Sequence, residues 1–178
     1  MAITKIQSES LNLADDFAFT GTITGAGGNM TPAFSVYLSG NQSITDSVTT
    51  KIQFNTETLD TDNAFDTSNY EFTVPAGKGG KYFVHMHGYY YGSGNARMFA
   101  IVFDLRHTPS GGSATNYTGM KYYEQDGVIE LARSGGFSGI INLNAGDKLS
   151  VNTSHSSNGD PANLNQSGTH FCGYKIIE

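Results

Sequence analysis

Lys81-Tyr82-Phe83-Val84-His85-Met86-His87-Gly88-Tyr89-Tyr90-Tyr91 decides the fold class. Successive side chains of a strand point to opposite faces. One face therefore carries Tyr82, Val84, Met86 and Tyr90. The other carries Phe83, His85, His87, Tyr89 and Tyr91. This is the pattern of a long strand with one face in a core and a second, aromatic face that needs a surface of its own to bury it.

The same grammar extends in both directions. Phe34 to Leu38, Thr49 to Phe54 and Glu71 to Val74 read as strands ahead of it. Met98 to Leu105 follows, after the turn formers Gly92-Ser93-Gly94-Asn95. Weaker strand candidates run over Thr118 to Tyr123, Val128 to Ala132, Ser138 to Leu143, Lys148 to Asn152 and His170 to Ile177. Short strands broken by turn signals predict an all-β sandwich or barrel of about ten strands. Composition agrees. The 178 residues include 22 glycines, are 12% aromatic and only 15% charged, and contain no stretch dense in helix formers.

In Met98-Phe99-Ala100-Ile101-Val102-Phe103 both faces are apolar. A sandwich strand needs only one, so the second is expected to meet another subunit. The expected subunit interface is Tyr82, Phe83, Tyr89, Tyr91, Phe99, Ile101 and Phe103.

The formal net charge is −6. That argues against nucleic acid and against an anionic membrane surface, both of which call for basic residues. No run reaches the length of a membrane span, and the N-terminus lacks the apolar core of a leader peptide. The single cysteine, Cys172, reads as a small apolar filler.

The chain divides near residue 31. Residues 1–31 hold two short alternating pieces and the joint Gly25-Ala26-Gly27-Gly28. This part is too small to fold alone and reads as an attachment arm, with Ile3, Ile6, Leu11, Leu13, Phe17 and Phe19 as its contact residues. Residues 32–178 are the jelly-roll domain.

Candidate chemistry is sparse. His85 and His87 share a face, as two ligands of a metal would, with His107, His155 or His170 as a third. Packing among tyrosines is the reading preferred for them. Asp60, Asp62 and Asp66 form an oxygen-rich cluster suited to calcium, but it lacks the Gly and closing Glu of an EF-hand loop and reads first as a solvated loop. No cofactor is expected. No nucleophile elbow or phosphate loop occurs, and no enzyme activity is expected. Tyr89-Tyr90-Tyr91 with Tyr117, Tyr122 and Tyr123 could stack on sugar rings, although sheet and interface packing is preferred. Polar loops are expected at Asn95-Ala96, Ser110 to Asn116 and Thr153 to Gln166, where binding would sit.

From Pro32 onward the chain resembles the globular head of complement component 1q and the tumour necrosis factor group. Ala33-Phe34-Ser35-Val36 and Lys51-Ile52-Gln53-Phe54-Asn55 are similar to the first two strands of that family. The central signature stands as Phe65-Asp66, Tyr70-Glu71-Phe72-Thr73-Val74-Pro75, Gly80 and Tyr82-Phe83-Val84. Phe137 to Leu143, Gly146 to Val151 and Phe171 to Ile176 are similar to its later strands. The resemblance implies a jelly roll and a homotrimer. A collagen-like stalk is absent, and the turn Ala76 to Gly80 is longer than usual.

Ile6 to Leu13 and Phe19 to Gly27 resemble the leader of tail and structural proteins of marine bacteriophages. The expectation is a homotrimeric virion structural protein, made in a host cytoplasm and displayed on the virion surface. It would serve as a capsid decoration or tail-associated knob and dock on other virion proteins through the arm. Alternatives are a tail-fibre tip that recognises a host surface glycan or protein, and a non-viral lectin-like protein.

Overall fold

The computed structural model describes residues 30–92, 98–123, 132–157 and 159–176. The arm residues Ile3, Ile6, Leu11, Leu13, Phe17 and Phe19, and most of the strand expected at Val128 to Ala132, lie outside them.

Thirteen strands are present among the described residues. They are β1 (Ala33–Tyr37), β2 (Gln42–Ile44), β3 (Thr50–Lys51), β4 (Thr56–Asp60), β5 (Phe65–Asp66), β6 (Glu71–Thr73) and β7 (Gly80–Gly92). Then follow β8 (Ala100–Thr108), β9 (Thr115–Tyr123), β10 (Ala132–Leu143), β11 (Lys148–Ser156), β12 (Ala162–Leu164) and β13 (His170–Lys175). A 3-10 turn at Gln166–Gly168 joins the last two, with the Asn165 side chain accepting from the Ser167 amide.

All recorded pairings are antiparallel. They make two sheets, and the molecule is a jelly-roll sandwich. The first sheet runs β2-β12-β7-β13-β1-β4, with β10 also on β7. Strand β10 lies along the whole of β7, from Leu143 opposite Gly80 to Ala132 opposite Tyr91. The other edge of β7 is shared, with β13 on Tyr82 to His87 and β12 on Tyr90 to Gly92. The second sheet runs β5-β6-β11-β8-β9, with β3 also on β11.

The core forms where the inward rows of the two sheets meet. Phe34 of β1 lies 4.6 Å from Phe72 of β6 and 5.0 Å from Phe171 of β13, ring centre to ring centre. Further along, Tyr90 of β7 packs on Phe103 of β8 at 5.8 Å. The phenol of Tyr90 is buried but paired with the Thr153 hydroxyl at 2.7 Å, as a polar group in a core must be. Gly88 belongs to the same inward row. A Cβ there would stand 2.4 Å from the Phe103 ring, so the ring occupies the space a side chain would take.

Three expectations are corrected here. Tyr82, Ile101 and Phe103 are at most 1% exposed within the single chain. They fill its own core and have no surface to offer a sister subunit. Phe99 is half-buried just before β8 of the second sheet, where its amide bonds Ser156 O at 2.8 Å. Met98 to Phe103 looked apolar on both faces because Ala100 is buried as well as Ile101 where the strand begins, and beyond it Val102 is half-buried against its neighbours. Lastly, Thr153 to Gln166 is not a continuous loop, since it contains the end of β11 and all of β12.

Candidate functional site: the outer face of the first sheet

The register of β7 decides which side chains face away from the core. Tyr82, Val84, Met86 and Tyr90 point in. Phe83, His85, His87, Tyr89 and Tyr91 therefore point out. Tyr174, Cys172 and His170 of β13 stand opposite Phe83, His85 and His87. On the other edge, Ile140, Ser138, Gly136 and Ser134 of β10 stand opposite Phe83, His85, His87 and Tyr89. Beyond β13, β1 adds Ala33, Ser35 and Tyr37.

This outer face has a simple chemical character. Across β1, β13, β7 and β10 it bears no carboxylate. Its only charged side chain on those strands is Lys81, at the end of β7. Large apolar side chains stand open on it, with Ile140 66% and Tyr91 48% exposed. Phe83 and Tyr174 pack together at 5.4 Å. The outer face of the second sheet is the opposite. It carries Asp104, Arg106 and Lys121, and Glu71 forms ion pairs with both Lys51 and Lys148.

Three imidazoles occupy the middle of the uncharged face. The His170 ring lies 5.4 Å from that of His85 and 5.7 Å from that of His87. The His87 Nδ1 stands 2.7 Å from the Gly168 carbonyl. A carbonyl only accepts, so this nitrogen is the donor. Burial, and then the charges His85 and His87 would carry, hold His170 below the ordinary histidine value. No group of three His, Cys, Asp or Glu side chains among the described residues is arranged to hold a metal ion. The His170 ring stacks on that of His87 and is tilted against that of His85.

The acidic cluster is taken up by its own loop. Asp60 accepts from the backbone amides of Asp62, Ala64 and Phe65. Asp66 accepts from those of Ser68 and Asn69. Asp62 accepts from the Thr61 hydroxyl at 2.7 Å. These carboxylates fold turns, which is the usual work of Asp in such loops.

Of the tyrosines considered for sugar stacking, Tyr90 is buried and Tyr122 is partly buried beneath the Arg133 guanidinium at 4.4 Å. Tyr117 and Tyr123 stand exposed on β9, and Tyr91 on the uncharged face.

One arrangement escaped the sequence reading. His107 Nε2 and Asp147 Oδ2 are 2.9 Å apart, forty residues apart in the chain. Nothing local marks this pair. His107 also stacks on Tyr117 at 6.4 Å, beside a groove of about 520 Å³ between β9 and β10. No hydroxyl or thiol is bonded to His107 among the described residues, so the pair lacks the nucleophile that would make it a triad.

Neither a protein-family model nor a curated protein matches the chain. Solved structures do. The globular domain of the zebrafish complement 1qA protein is 19% identical, covers 83% of this chain and 98% of its own, and superposes with a TM-score of 0.58. The fold is that of complement 1q and tumour necrosis factor. Eiger TNF from S. frugiperda is 17% identical over 82% of this chain and 92% of its own, with a TM-score of 0.58. Murine APRIL is 15% identical over 81% and 98%, with a TM-score of 0.56. At these identities the likeness is one of fold.

Proposed function

We propose that this chain is the subunit of a homotrimeric binding and structural module, and that the uncharged outer face of the first sheet joins its copies. The observation that supports this is the contrast between the two outer faces. Depletion of charge with enrichment in tyrosine and other aromatics is the composition of an interface centre. Soluble monomers seldom expose a continuous patch of that kind. Threefold assembly is what the resemblance to the complement 1q and tumour necrosis factor group implies. Phe83, Tyr89 and Tyr91 of the expected interface lie on this face, joined by Ile140, Tyr174 and Tyr37.

The module works by display rather than by catalysis. Its place is the surface of a virion, held through the arm of residues 1–31, as a capsid decoration or tail-associated knob. The resemblance of that arm to the leader of phage structural proteins supports this placement. Light scattering coupled to size exclusion tests the assembly. Three chain masses at micromolar concentration is the expected result, and one chain mass would reject it. Antibody-gold labelling tests the placement. Label over capsid or tail supports it, and bare particles would remove it.

A further inference from the structure

We infer that the row His85, His87 and His170 makes association of the copies sensitive to pH, with assembly at neutral pH and release in mild acid. This inference rests on the assembly face proposed above and adds its regulation.

The argument is geometric. The three rings are close neighbours, at 5.4 and 5.7 Å, in the middle of the face that a second copy would cover. An imidazole in water takes up its proton at about pH 6.5. When all three are protonated the face carries three like charges per chain at close range. Covering them would strip their water without providing a counter-charge.

Among the described residues the surroundings supply none. On β7 the neighbours of the row are Phe83, Tyr89 and Tyr91, with Lys81 at the end, itself a cation. On β13 they are Cys172 and Tyr174, with the cation Lys175 beyond. Strand β10 presents Ser134, Gly136 and Ser138, and its Arg133 points the other way, over the Tyr122 ring. Strand β1 presents Tyr37 opposite His170. The 3-10 turn at Gln166–Gly168 carries no ionisable side chain. Glu57 of β4 registers with core-facing Val36, not with the row.

Neutral imidazoles lack this difficulty. They offer flat, polarisable rings and single hydrogen bonds, and they pack well among tyrosines. The sign follows. The assembled state holds fewer protons than separate chains, so assembly weakens as pH falls into the range where separate chains take up protons, which for His170 lies below the ordinary histidine value. Each proton excluded per chain shifts the association constant about tenfold per pH unit for every chain in the assembly.

The test is the mass of the full-length chain by sedimentation velocity, with chelator present, at neutral pH and at about pH 5.5. Wild type is compared with H85Q/H87Q/H170Q and with H170Q alone, which leaves the His87 bond to Gly168 intact. Circular dichroism at both pH values checks that the sheets persist. The expected result is wild-type trimer at neutral pH, with the half-assembly concentration raised at least about tenfold in acid. The triple variant should stay assembled at both, and H170Q should show a smaller acid effect. Wild type that stays assembled in acid would overturn the switch and leave the assembly face standing. Acid release that persists unchanged in both variants would also overturn it. Wild type that is monomeric at neutral pH would reject the assembly reading itself.

Discussion

Asp147 shows how one side chain holds three segments. It lies in the turn between β10 and β11, nearly fully buried. Its carboxylate accepts from the amides of Asn144 and Ser110 and from His107 Nε2. Burial pushes its pKa up, but the two amides and the imidazole outweigh that and hold it below the ordinary carboxylate range. A carboxyl depressed in the folded state adds stability above its unfolded value of about 3.9, and that stability is lost as pH falls through the folded value. Asp147→Asn should therefore cost about 1–3 kcal/mol at neutral pH. Its melting temperature should also fall less than that of wild type on acidification below about pH 4. Equal losses in both proteins would reject the clasp. Gly88 makes a second residue-scale case. Gly88→Ala forces the Phe103 ring to move and should cost about 1–3 kcal/mol by urea unfolding. Neither role was legible in the sequence. His107 and Ser110 reach Asp147 only through the pairing of distant strands, so no local pattern marks the clasp. Gly88 sat in a strand pattern with no sign of the ring that would fill its place.

At the scale of the element, β7 and β8 separate what alternation can reveal from what it cannot. Alternation assigned both faces of β7, because a thirteen-residue strand with a partner on each edge keeps one register throughout. It failed for β8, where apolar residues on both faces were read as two surfaces, one for the core and one for a sister chain. Phe103→Asp would place a carboxylate in the core and unfold the chain. Phe103→Ala should cost about 3–5 kcal/mol in urea unfolding, the range for an aromatic ring removed from a core. Ile140→Asp should do the reverse. Ile140 is open in the single chain, so its unfolding free energy per chain should change by no more than about 0.5 kcal/mol. Its mass at neutral pH should drop from three chains to one. A trimer unaffected by Ile140→Asp would move the interface off this end of the face. The short strands β2, β4, β5 and β12 went unread for a plain reason. Runs of two to five residues carry little periodicity, and here the neighbouring strands hold them.

For the whole molecule, the proposed division near residue 31 would separate two kinds of work. The sandwich closes on itself from Pro32 onward, since Pro32 O accepts from the Lys175 amide and β1 sits between β13 and β4. Every strand among the described residues lies in one of the two sheets, and the core draws on both. The core as described begins at Phe34. If residues 1–29 serve as an attachment arm, as proposed, a chain that starts at Met30 should melt within about 2 °C of the full-length protein, because a segment whose contacts are with another component adds little to the cooperative unfolding of the sandwich. It should also keep the mass of three chains. Under the proposed division of labour, the same truncation should abolish retention on particles, measured by copurification with virions through a density gradient. The two readouts are independent. If the truncated chain became monomeric, the arm and not the uncharged face alone would join the copies. If it remained trimeric and still copurified, attachment would belong to the sandwich and the arm would lose its assigned role.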